Sequence, residues 1–277
     1  MIRAALIAAF VGGVALVSAQ TPAPSPSAVT FEVASIKPAV PGQPTASDRF
    51  SPERFYSRNT TLLTLVRLAY GWLPSFRVSG GPEWVTTDLW EVNAKANGVP
   101  TVPQQRDMIR RLLEDRFALR VRFEMREMPI YELVLAGRNG RLGAGLKPAK
   151  VDCRRIVVGP VGGWMQDIDP ATREYRCRPG VLIGAASSMT ASVRGGSISS
   201  LTRLLETVYR RPVVDRTGLV DPFDIDLTFQ NGNLRDPDPS LPSVSTALEE
   251  ALGLRVQNGR GPVEVLVIES AERPTPD

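Results

Sequence analysis

One order of hydrophobic periodicities occurs twice along this chain, and it restricts the fold more than any other feature of the sequence. FEVASIKP (31–38) reads as a strand, with Phe31, Val33 and Ser35 alternating with polar Glu32 until Pro38 ends it. RFYSRN (54–59) is a second short extended piece. Asn59 or Thr60 can then cap a helix whose Leu62, Val66, Ala69 and Tyr70 share one face, and Gly71 helps end it. After the turn SGGPEW (79–84), LWEVNAKA (89–96) alternates as a strand. A helix from about Gln104 to Asp115 follows, carrying Met108, Ile109, Leu112 and Leu113 on adjoining faces. Residues 119–126 then place Leu119, Val121, Phe123 and Met125 inward and Arg120, Arg122, Glu124 and Arg126 outward, with Ile130–Ala136 as the expected partner strand.

The second half runs through a matching order. Ile198, Leu201, Leu204, Leu205 and Val208 define a helix, and RPVVDRTGLVDPFDIDLTF (211–229) reads as two strands around a Thr217-Gly218 turn. A helix over Val244–Leu252 is stopped by Gly253, and Leu254–Val256 is expected to pair with Val263–Glu269 across a turn at Asn258 and Gly259. Leu63-Thr64 aligns with Leu201-Thr202, Gly81 with Gly218, and Phe117–Val121 with Leu252–Val256, which reads as an internal duplication. Between the halves, Gly137–Ser188 is rich in glycine and proline and holds both cysteines. The expected fold is therefore α+β: two repeated βαββαβ-like units, 31–136 and 189–277, joined by an irregular disulfide-stapled connector over 137–188.

The amino terminus points to export. Arg3 precedes an apolar run from Ala4 to Val17, and Ser18 and Ala19 supply the small residues that a signal peptidase reads, so 1–19 is expected to be a signal peptide. The run falls short of the roughly 20 residues that a membrane span needs, and Pro22, Pro24 and Pro26 follow at once in a Pro/Ser-rich linker over 20–30. We expect a periplasmic or secreted protein with no stable membrane span after processing. In that compartment two cysteines pair more often than not, so Cys153 and Cys177 are expected to form a disulfide, two free buried thiols being the alternative. Closing a loop of about 25 residues is worth roughly 3 kcal/mol by chain entropy. The 33 basic and 29 acidic residues are too evenly balanced to imply nucleic acid or another polyanion as partner.

Most reactive constellations are missing from the sequence. It contains no histidine, which removes Ser-His-Asp and Cys-His arrangements and histidine-bound zinc, and no S-x-x-K spacing occurs. Asp224 and Asp226 lie two apart on a strand with Asp215 and Asp221 nearby, a set that could share acid and base roles but equally suits a solvated strand face. Asn231, Asn233, Asp236 and Asp238 offer oxygen ligands, yet Pro237 and Pro239 interrupt the loop and no calcium-loop order appears. Gly140, Gly143 and Gly145 before Lys147 fit neither phosphate-loop nor dinucleotide spacing and suit a flexible connector. Arg106, Arg110, Arg111, Arg120, Arg122 and Arg126 are interleaved with Glu114, Asp115, Glu124 and Glu127, as on an ordinary solvated face. Tyr70, Trp72, Trp84 and Trp90 cluster near the first turn and could line a groove for a peptide or sugar, core packing being the competing role.

Several segments carry a resemblance: FEVASIKP, AYG and GGPEW within 69–84, MIRRLLEDRFALRVRFEMREMPIYELVLA at 108–136, RRPVVDRTGL at 210–219, ALEEALGLRV at 247–256 and VEVLVIESAERP at 263–274. In this order they resemble a large paralogous family of exported proteins of unknown function from soil Acidobacteria, over nearly all of the mature chain. The resemblance implies no particular reaction. Related domains are appended to membrane metallopeptidases similar to penicillin-sensing antirepressors, which implies a sensing or binding role outside the cytoplasm. The element order is also similar to small domains at the amino ends of outer-membrane secretins and receptors, an architectural likeness alone. The leading expectation is a noncatalytic binding or interaction module of the cell envelope, working without a cofactor on an envelope protein, peptide or glycan. The alternatives are a carboxylate-dependent extracytoplasmic enzyme using Asp215, Asp221, Asp224 and Asp226, and a structural envelope protein.

Overall fold

The computed structural model describes residues 29–275 apart from 41, 43–45, 52, 138–139, 154–176, 186 and 233–237. The expected leader, most of the Pro/Ser linker, and Asn233 and Asp236 of the oxygen-rich loop lie outside the described residues.

In the first half, strands β1 (Phe31–Pro38), β2 (Ala46–Ser51) and β3 (Arg54–Thr61) lead into helix α1 (Leu62–Ala69) and the short strand β4 (Val78–Gly80). One helical turn, α2 (Trp84–Thr87), precedes strand β5 (Leu89–Ala96), helix α3 (Val102–Phe117) and strand β6 (Arg120–Leu135). The second half contains β7 (Leu146–Pro148), β8 (Arg178–Gly184), β9 (Ser188–Gly196), α4 (Ile198–Tyr209), β10 (Val213–Asp215) and β11 (Phe223–Gln230). It closes with α5 (Val244–Ala247), which widens into a π-helical turn over Leu248–Leu252, and strand β12 (Leu254–Ser270). The fold is α+β, and Cys153 and Cys177 are bonded, their Cα atoms 5.7 Å apart.

Among the described residues the strands form three four-stranded sheets. The outer ones run β1-β5-β3-β2 and β7-β11-β9-β8, the same order element for element. The central sheet, β10-β6-β12-β4, takes two strands from each half. β4 pairs in parallel with β12, and β10 pairs in parallel with β6, so each half places its short strand against the long strand of the other. The cores follow the same exchange. Leu266 and Ile268 of β12 are buried among Phe55, Leu65, Ile109 and Phe117 of the first half, while Leu133 of β6 is buried among Leu201, Leu205, Ile225 and Leu227 of the second.

Two local expectations are corrected by this pairing. Residues 119–126 and 130–136 do not form a hairpin, and neither do 254–256 and 263–269; β6 and β12 are each one continuous strand, paired antiparallel from Leu254↔Leu135 to Ser270↔Arg120. A hairpin arm and half of a long ribbon share the same alternation, so only the partner distinguishes them. Pairing also resets the inward face, since Phe123 and Met125 remain 48% and 61% exposed and only the amino-terminal end, at Leu119 and Val121, packs into the core. The stretch 137–188 contains two strands where irregular structure was expected. β7 completes the edge against β11 and β8 lies along β9, drawn into strand by open neighbours and not by any periodicity of their own.

Helix ends are chemically well defined. α1 is capped by Thr61, one residue beyond the expected cap, whose hydroxyl accepts from the Thr64 amide. α3 starts in a capping box between Thr101 and Gln104, runs two residues past Asp115, and stops at Ala118 in the left-handed conformation. Gly253, also left-handed, occupies the corresponding place before β12.

Candidate functional site

The turn that leaves α1 is wound unusually tightly. Gly71 and Trp72 take φ values of 87° and 62° in succession. The Gly71 amide donates to Leu68 O (3.1 Å), the Trp72 amide to Arg67 O (2.6 Å), and the Arg67 Nε returns to Leu73 O at 2.6 Å. Arg67 thus holds both ends of the turn. A bulky residue at positive φ costs about 1–2 kcal/mol, and such strain persists where surrounding contacts dictate the backbone, often at ligand sites. Trp72, on this strained backbone, is 51% exposed.

Facing that turn is α4. Between them lies a cleft of about 260 Å³, lined by Trp72, Leu73 and Arg77 from the first half and by Thr202, Arg203 and Glu206 from the second. Arg77 donates from Nη2 to Glu206 Oε1 and from Nη1 to Glu264 O (3.4 Å). Glu206 also accepts the Val213 amide at 3.1 Å, so its carboxylate anchors β10 as well as the ion pair. Its side chain is nearly fully buried, and it is the single acid among the described residues lining the cleft. The hydroxyls of the wall are committed: Thr202 donates to Ser199 O (3.0 Å), and Ser199 shares a hydrogen bond with Ser197 (2.6 Å).

The aromatic residues singled out from the sequence do not come together as one groove. Trp84 and Trp90 are 8% and 4% exposed and pack edge to face with each other and around Phe117. Tyr70 lies half-buried beneath the Arg110 guanidinium, 4.8 Å from its ring centre, and meets Phe123 at 5.7 Å. Trp72 alone of the four lines the cleft.

Three of the four carboxylates of the enzymatic alternative are occupied in holding structure. Asp215 accepts from the Thr217 amide and hydroxyl at 2.8 and 2.7 Å, Asp224 from the Gly195 amide at 2.8 Å, and Asp226 pairs with Arg194. Asp221 is exposed. Among the described residues no group of three or more acids and cysteines is arranged to hold a metal ion. Gly143 and Gly145 donate to Leu252 O and Ala251 O at 2.9 and 2.8 Å, which makes them close-packing glycines of the π-helical turn, not members of a flexible linker. In the arginine-rich stretch, Arg110 pairs with Asp107, while Arg122 and Arg126 both engage Glu124. Cys153 accompanies these tethers, its amide donating to Gly195 O at 2.9 Å.

Arg77, Arg203 and Glu206 were not singled out from the sequence. One signal for Glu206 was available: it follows Leu205 on the face of α4 that carries Ile198, Leu201 and Thr202 into the interior, and a carboxylate there needs a partner. Nothing local identifies that partner as Arg77, 129 residues away.

No helix of the described residues is long and apolar enough to cross a membrane. No curated protein and no solved structure matches the chain significantly. Residues 63–271, from the start of α1 past the end of β12 and across both walls of the cleft, match the model of a family described as a protein of unknown function, and this chain belongs to that family, DUF3738.

Proposed function

We propose that the protein is an exported binding module of the cell envelope, acting in the periplasm or outside the cell, and that it takes its ligand in the cleft between the turn after α1 and α4. The observation that carries this reading is Trp72, held at φ 62° and half exposed on the wall of a cavity built by both halves. An aromatic side chain carried on a strained turn and presented to a pocket suits binding. The tethered hydroxyls and the paired Glu206 favour recognition over chemistry. Export is supported by the leader sequence and by the Cys153–Cys177 bond, which suits an oxidising compartment. The partner class is an envelope protein, a peptide or a glycan. The matched strand order of the two outer sheets supports reading the halves as an internal duplication whose copies exchanged their short strands.

The test is a thermal-shift screen of the mature chain against envelope peptides and glycan fragments, because a ligand of the native state raises the melting temperature by mass action. At least one class should raise it, and Trp72→Ala should abolish the rise while leaving the unliganded melting temperature in place. A ligand bound equally well by Trp72→Ala would locate recognition elsewhere. Hydrolytic activity lost in Asp224→Asn or Asp226→Asn with the fold intact would replace the binding reading with the enzymatic one.

A further inference from the structure

We propose that the cleft selects a small organic carboxylate with one flat face, its carboxylate held between Arg106 and Arg203 and its face set against Trp72. This rests on the cleft being the binding site.

Arg106 lies beside the cleft, against the wall residue Gly71. A Cβ on Gly71 would lie 3.5 Å from Arg106 Nη1 and 3.6 Å from Cζ, so the guanidinium of α3 is laid against the bare backbone of the turn that forms the wall. Arg106 is partly buried, and no carboxylate among the described residues pairs with it. Its neighbour one turn along is fully engaged: Arg110 bonds Asp107 (2.7 Å) and Ala69 O (3.1 Å) and covers the Tyr70 ring. Arg203 lines the opposite wall, exposed, with Ser200 Oγ at 3.5 Å as its hydrogen-bond acceptor. Burial first, then the charges of Arg110 and Arg203, pull the Arg106 guanidinium below its ordinary pKa. A half-desolvated cation facing like charges is stabilised by an incoming anion.

The charge left to a ligand is positive, because Glu206 is already engaged by Arg77. Two guanidinium groups from different elements favour a planar carboxylate, which accepts forked hydrogen bonds with directional strength. The cavity, about 260 Å³, sits at the small end of ligand sites and suits one ring or sugar unit in place of a polymer. Trp72, next to Gly71 in the same turn, offers an indole for the flat face of that unit.

Calorimetric titration of the full mature chain tests this with two matched pairs, glucuronate against glucose and phenylacetate against phenylacetamide, with inorganic phosphate as a separate arm. At least one carboxylate should bind about ten-fold or more tighter than its neutral partner, and more weakly as salt rises. Arg106→Gln and Arg203→Gln should each weaken that carboxylate about ten-fold at unchanged melting temperature. Arg106→Lys should recover only part of the loss, since an ammonium cannot reproduce the fork. Neutral partners binding as tightly as the acids, with Trp72→Ala losing both, would overturn the carboxylate inference and leave the cleft as the site. Carboxylate binding untouched by Trp72→Ala, Arg106→Gln and Arg203→Gln would end both readings. Phosphate binding while neither carboxylate binds at about 10 mM would also overturn it, showing that charge alone is read.

Discussion

Arg77, in the turn before β4, and Glu206, on α4, form an ion pair between the two halves in the lining of the cleft. Each has a second duty to the central sheet, Arg77 to the Glu264 carbonyl of β12 and Glu206 to the Val213 amide of β10. The pair therefore stands where the exchanged short strands enter the shared sheet. It also removes the cleft's acid from competition with an incoming anion.

Breaking this pair from one side should be costly. Glu206→Gln keeps an acceptor for Val213 but strands the Arg77 charge, and removing one partner of a buried pair costs about 3–5 kcal/mol; with Arg77 partly solvated, the lower end is expected. Combining Arg77→Met with Glu206→Gln should recover about 1 kcal/mol or more relative to the sum of the single changes. Urea unfolding of the four proteins reads the cycle, and strict additivity would mean that the two side chains do not interact energetically.

Two glycines with nearly the same backbone should respond differently to alanine. Gly218 has φ 72° with open space where a Cβ would go, so Gly218→Ala should cost only the left-handed penalty of about 1 kcal/mol. Gly253 has φ 67°, but its Cβ would lie 2.6 Å from Arg141 O and 2.9 Å from the Gly143 amide. Gly253→Ala should therefore lose clearly more, about 3 kcal/mol by the scale of overpacking added to that penalty. Equal losses on chemical denaturation would show that the corner between α5 and β12 yields freely.

Tyr209 should make the fold sensitive to alkali. Burial, reinforced by Tyr131 at 4.9 Å between ring centres, pushes its phenol up to about 12. An unfolded chain releases that proton near pH 10. Between roughly pH 10 and 12 the unfolded state thus holds fewer protons than the folded one, and stability falls as pH rises. Below that window the contribution is fully present. The urea midpoint should decline across it in the native sequence and decline less in Tyr209→Phe; parallel declines would assign the alkaline loss to other groups.

The contrast between legible and illegible features follows from the range of the forces involved. The helices were readable because their periodicity and stops are local, as on the apolar face of α3 or at Gly253, whereas the Thr101 cap of α3 went unread and the start was placed two residues late. Phe123 and Met125 misled because alternation marks a strand without saying which part of it another layer will cover. The hairpins failed for a related reason: Gly259 sits opposite Ile130 inside a continuous ladder, where sequence alone suggested a turn. Trp84 and Trp90 were indistinguishable from Trp72 by type and spacing, and only packing around Phe117 separates core indoles from the exposed one.

By itself the sequence determined the α+β class, the pairing of Cys153 with Cys177 and the absence of imidazole chemistry, all properties written in composition and short-range pattern. Tertiary structure alone decided that the halves trade β4 and β10 across one sheet, and that Gly71, Arg203 and Glu206 line one cleft with Trp72. Those meetings depend on contacts between distant parts of the chain, 129 residues apart for Arg77 and Glu206, and no short window encodes them.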